Sequence, residues 1–474
     1  MVWAVAVSPL VMVLGLITGL RRPAHWAAAA GTLTAALLVW WLPDFSLSGA
    51  EVAAGAGAGG LLVLNAAAVM LPGVYLSQVL TRREVHRSLQ EWVRQLPLSR
   101  PVKTALVVVG IGPTVESLTG FGVSLLVTVP VLLALAPPAT ALRQSLLGMN
   151  IMPWGTLGLA TVVGGSLAGA GTAALGATTA VTSALVFPVL AVGAALLCRP
   201  ARRLRAAGAA AALGAVLSLA LIALNRLGVV EVAGVVAGLC TALLGVLAFA
   251  ARRDRALLPP RPVLLAYGTV LGLVALIRVA CALGLPDFTW QAGGASFHPL
   301  TSPGLPLLLT ALILDRGRVH GTDARAALRR VARPLLALTG FVALGQVMAR
   351  GGMIDALGTA VSGAHPLLLA PAVAALGMLG GFITGSNVGG NALLMQLQAG
   401  SAPDAHLELW FAALQNSAAG HAVFTSLPMI MLTLAVAGPA AKVSEHGLLR
   451  FGLRMASLVY AALAVVAVAG VLIL

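Results

Sequence analysis

The chain has 474 residues, of which 59% are hydrophobic and 9% charged, and its mean hydropathy is +0.99. No soluble globular domain carries that balance on its surface, so the composition excludes a soluble fold and predicts an all-α polytopic membrane protein. The formal net charge of +15 does not indicate a nucleic-acid binder, because all but four of the 29 Lys and Arg residues lie in short clusters between apolar stretches.

Stretches apolar enough to cross ~30 Å of hydrocarbon recur along the chain. In order they include Val2 to Leu20, Ala24 to Leu42, Glu51 to Leu80, Ala207 to Leu224, Val229 to Ala250, Val263 to Leu283, Leu335 to Met348 and Phe451 to Leu474. The first has no basic n-region and reads as a retained helix rather than a signal peptide. Together with the interrupted segments below, about 12 to 14 transmembrane or re-entrant segments are expected. The basic clusters are Arg21–Arg22, Arg82 to Lys103, Arg199 to Arg205, Arg252 to Arg261, Arg316 to Arg333 and Lys442 to Arg454. They read as cytoplasmic by the positive-inside rule, with the N-terminus outside. Cys198, Cys240 and Cys281 are far apart and show neither disulfide nor zinc spacing.

Two Gly-rich, polar segments echo each other: Gly112-x6-Thr119-Gly120 and Gly377-x6-Thr384-Gly385. Each is followed by an Asn at the end of an apolar run, Asn150 and Asn416. Followed through the basic loops, the first motif is entered from the inside and the second from the outside, as an inverted-topology repeat requires. The echo divides the chain into halves 1–250 and 251–474, with motif regions 103–158 and 366–421. Broken helices meeting near the bilayer midplane are the pattern of a secondary transporter.

The polar groups of these segments suggest the chemistry. Glu116 alone among the 14 acidic residues lies well inside an apolar region; it either holds a transported proton, pairs with a cation, or caps the half-helix that starts near Thr119. Thr119, Gly120 and Gly122 read as a broken-helix turn with N–H groups free for an anion. Thr384, Gly385, Ser386 and Asn387 form the matching turn, with Asn391 one helical turn beyond. Asn150, Gln415 and Asn416 are neutral hydrogen-bonding groups that bind substrate or join helices. His421 is a second proton-coupling candidate. Arg278, within an apolar span, is the cationic candidate for a substrate carboxylate or for Glu116, unless it snorkels to the interface. The run Gly55 to Gly60 reads as close helix packing.

Glu116-x-x-Thr119-Gly120-Phe121-Gly122, Asn150-x-x-Pro153-x-Gly155 and, more strongly, Gly381-Phe382-Ile383-Thr384-Gly385-Ser386-Asn387-x-x-x-Asn391 resemble the bacterial lactate and glycolate permease family. So do Ser302-Pro303-Gly304, Gly351-Gly352-Met353 and Arg450-Phe451. The resemblance implies proton-coupled import of a small 2-hydroxymonocarboxylate across the cytoplasmic membrane, with no cofactor or metal. Two positions depart from the family's pattern: Asn387 stands where Asp is usual, and His421 where Lys is usual. The alternatives are another organic anion, antiport, or an intramembrane enzyme using Glu116 and His421. The last has no motif behind it, since neither His-Glu-x-x-His nor a P-loop is present.

Overall fold

In hydrocarbon a backbone N–H can rely only on partners within its own segment, so the apolar stretches become helices. The computed structural model describes residues 2–250, 258–361 and 363–474. Among these, nine helices are long and apolar enough to cross a membrane, or up to 12 if each bent pair is one span. The protein is an all-α polytopic membrane protein, and the upper count meets the lower end of the expected range. One departure from all-α is a hairpin of Trp290–Ala292 with Ala295–Phe297. The expected boundary at 250/251, with Arg252, Arg253 and Arg255 of one basic cluster, lies outside the described residues.

Long helices cover the simple apolar stretches: Gly49–Arg82, Arg203–Arg226, Val230–Phe249, Arg261–Ala282 and Glu445–Ile473. The stretch Leu335 to Met348 belongs to one 30-residue helix, Gly321–Arg350, that absorbs four of the six arginines of a basic cluster as well. This helix packs along Gly49–Arg82. Small residues permit the approach: a methyl group on Gly59 would lie 3.3 Å from Val342, and one on Gly57 3.0 Å from Ala292 of the hairpin.

Both motifs break helices. The first runs through Arg100–Leu106, a π-helical turn at Val107–Ile111, and Gly112–Thr119. It stops at Gly120 (φ 69°, ψ −171°), a conformation open essentially to glycine alone. Phe121 and Gly122 also have positive φ, and the helix Leu125–Leu135 follows. Further on, Pro138–Leu147 and Met152–Leu167 meet at 59°, with Asn150 in the break. In the second motif, Pro366–Thr384 ends on left-handed Gly385, and Asn387–Gly400 begins after Ser386, whose Oγ accepts the Gly389 N–H at 3.3 Å. Pro366–Thr384 packs tightly on Ala405–Ala422; a Cβ on Gly381 would fall 1.9 Å from the Ala419 carbonyl oxygen.

Candidate functional site

The first turn closes on its own carboxylate. Glu116, with no solvent exposure, accepts from the Gly122 N–H at 2.9 Å through Oε1. Its Oε2 accepts from the Ser124 N–H at 3.2 Å and the Ser124 hydroxyl at 2.7 Å. Gly120 N–H bonds the Glu116 carbonyl at 2.8 Å, and the Thr119 hydroxyl donates to the Val115 carbonyl at 2.8 Å. The expectation that Thr119, Gly120 and Gly122 offer free donors to an anion is therefore corrected. The Gly122 and Ser124 N–H groups already hold the Glu116 carboxyl, and no helix starts near Thr119 for it to cap: Gly112–Thr119 ends there and the next helix begins at Leu125.

The second turn is open. Thr384 donates its hydroxyl to the Gly380 and Ser386 carbonyls, both at 2.8 Å, which fixes the turn. Thr384, Gly385, Ser386, Val388 and Gly389 then line a cavity of ≈ 470 Å³. Phe121 of the first turn, Arg330 and Arg333 of Gly321–Arg350, and His25 line the same cavity. Arg330 Nη2 donates to the Phe121 carbonyl at 3.1 Å, and its charge acts on the Glu116 carboxylate. Both motif turns thus border one cavity that also holds two guanidinium groups.

The neutral polar residues form a buried network. Asn416, fully buried, accepts at Oδ1 from Asn391 (2.8 Å) and Asn387 (3.1 Å). It donates to the hydroxyls of Thr161 (3.0 Å) and Thr179 (3.1 Å). Asn391 also donates to the Ala160 carbonyl at 3.0 Å, and Gln415 to the Gly390 carbonyl at 3.1 Å. Thr182 and Ser183 meet Ser417 nearby. Asn416 sits within the helix Ala405–Ala422 rather than at the end of a run.

Asn150 is held separately, donating to the carbonyls of Val108 (3.1 Å) and Leu147 (2.7 Å). His421 is fully buried, edge-on to Phe187 with ring centroids 5.3 Å apart, and its ring lies beside the Asn150 backbone. Neither residue lines the cavity.

Arg278 is a second correction. Its guanidinium pairs with Glu231 on the first turn of Val230–Phe249, and its side chain is 44% exposed. It meets neither turn nor Glu116, because its helix Arg261–Ala282 lies at the periphery with few buried positions. The cation that faces Glu116 is Arg330. Sequence reasoning missed it because Arg316 to Arg333 reads as one solvated loop; the one available signal was that the cluster runs without a breaker into an apolar stretch.

Residues 286–474 match the sequence model of the L-lactate permease family. The match covers the C-terminal part of the chain, less than half of its length. That part carries the hairpin, both arginines, the open turn and His421, whereas the first motif lies before it. An L-lactate permease of Streptococcus iniae is 32% identical over 123 residues, covering 24% of this chain and 25% of that protein. The chain is thus aligned with a quarter of the length of this curated relative of the L-lactate permease family.

Proposed function

We propose that the protein is a secondary transporter of a small organic anion in the bacterial cytoplasmic membrane, with lactate or glycolate as the first candidates and uptake coupled to protons. The observation that carries this reading is the shared cavity, lined by the turn Thr384–Ser386 together with Phe121 and two arginines. A helix N-terminus and guanidinium groups both favour an anion. The similarity of residues 286–474 to L-lactate permeases supports the choice of substrate class.

The two turns would belong to inverted repeats that rock about this site. Arg330 and Arg333 follow a basic segment, and His25 follows Arg21 and Arg22, so the positive-inside rule puts the cavity's mouth on the cytoplasmic side. Glu116 is the titratable group that the first turn holds and on which the Arg330 charge acts, and it carries the coupling proton in this reading; His421 is the alternative carrier. The network of Asn387, Asn391 and Asn416 holds the halves in register.

The test is uptake of labelled lactate and glycolate into proteoliposomes, with and without an inward proton gradient. Accumulation that follows the gradient, and its loss in Glu116→Gln with substrate binding retained, is the expected result. Gradient-independent equilibration in the wild type would remove proton coupling, and absence of uptake for both acids in folded protein would direct the search to other anions.

A further inference from the structure

We infer that Arg330 binds the substrate carboxylate and that Ser386 reads the neighbouring hydroxyl, so that these two residues set specificity for a 2-hydroxymonocarboxylate. The inference rests on the carrier reading above and assigns the groups that read the substrate.

A guanidinium has five N–H donors in a planar fork and no acceptor. Arg330 spends one on the Phe121 carbonyl, which anchors the side chain to the first turn. The others have no partner among the described residues, and Arg330 lines the cavity. Glu116 balances the charge without occupying the fork. Both of its oxygens already accept from Gly122 and Ser124. Arg330 is thus compensated through space while its donors stay free, the condition under which a guanidinium takes a carboxylate in two parallel bonds. Arg333, one helical turn on, adds positive charge to the same cavity lining.

The cavity lining also supplies one usable hydroxyl. Thr384 has committed its proton to the Gly380 and Ser386 carbonyls. Ser386 Oγ accepts from the Gly389 N–H, and its own proton has no acceptor among the described residues. A carboxylate on Arg330 and a hydroxyl toward Ser386 would share this cavity. A site that pairs a substrate hydroxyl discriminates against the analogue that lacks it, because the protein's polar group is then left unpaired.

The experiment is calorimetric titration of the full chain in nanodiscs with L-lactate, propionate and lactamide. For the wild type, lactate binds more tightly than propionate, and lactamide, which has no carboxylate, does not bind. Arg330→Lys keeps the charge but loses the fork and weakens lactate about 10-fold, whereas Arg330→Gln weakens it about 100-fold. Ser386→Ala removes the preference for lactate over propionate and leaves propionate affinity unchanged. Thermal unfolding identifies misfolded protein; if Arg330→Gln fails to fold, Arg330→Lys and Ser386→Ala carry the test. Lactate affinity within about twofold of wild type in both Arg330 variants would overturn the assignment and leave the carrier reading standing. A wild type that binds neither acid would overturn the substrate class itself, and the assignment with it.

Discussion

Asn391 donates one amide proton to Asn416 Oδ1 at 2.8 Å and the other to the Ala160 carbonyl at 3.0 Å. The Ala160 carbonyl can only accept, so it fixes which end of the Asn391 amide faces it. That in turn fixes Asn416, and through Asn416 the amide of Asn387. Four side-chain bonds meet at Asn416 and tie the second motif to Thr161 and Thr179 of the first half.

Removing the hub should therefore cost more than removing a spoke. At about 0.6 kcal/mol per side-chain bond in a membrane protein, Asn416→Ala should lose roughly 2 kcal/mol and Asn387→Ala less than 1. Thermal unfolding of both variants in nanodiscs measures the difference. Equal losses would mean that the network is not organised around Asn416.

Gly120 should tolerate no side chain. Its backbone conformation excludes other residues, and a Cβ there would lie 1.7 Å from Thr156 Oγ1. Gly120→Ala is expected to cost about 2–5 kcal/mol from strain and overlap together. Adding Thr156→Gly, at a position that already has φ 52°, should recover the overlap and leave the strain. Wild-type stability in the single variant would show that the turn relaxes.

Arg278 should be dispensable for transport. Its partner is Glu231, both side chains are partly exposed, and such pairs contribute little. Uptake by Arg278→Gln is expected within about twofold of wild type, whereas Arg330→Gln should abolish it. A transport defect in Arg278→Gln as deep as that of Arg330→Gln would restore Arg278 to the site.

Two groups outside the spans make stability pH-dependent in different windows. His86, on the short helix Val85–Gln95, is pushed down to about 4 by burial. The unfolded chain then binds a proton that the folded chain refuses, so this contribution is intact above the unfolded value of 6.5 and is lost as pH falls toward 4. Amide protection across residues 85–95, corrected for the intrinsic exchange rate at each pH, should fall between pH 7 and 5, and His86→Gln should abolish that fall. Asp315 titrates lower. Burial raises its pKa, but hydrogen bonds from Arg82 and Arg83 outweigh this and hold it below 3.8. Its stabilisation is present above that value and is lost as pH falls further. An Asp315→Asn variant should lose less thermal stability than wild type as pH falls below about 4; parallel curves would exclude the role.

Much of the fold was legible because hydropathy and helix punctuation are local. Long apolar runs became helices, Gly120 and Gly385 became breaks, and Glu116 stood out as a carboxylate where carboxylates are costly. Arg330 was hidden for a local reason as well. Nine residues after Gly321, at 1.5 Å per residue, it sits about 14 Å along a helix that the basic cluster made look like loop.

By itself, then, the sequence determined the membrane class, the positions of the two broken turns and the one buried acid within them. The tertiary structure decided which groups meet. Glu116 bonded to its own turn, Arg278 went to Glu231, Arg330 reached Phe121 across 209 positions, and Asn416 reached Thr161 across 255. The physical reason is range: a helix fixes partners three or four residues apart, whereas these bonds depend on how whole helices pack, and no periodicity along the chain encodes that.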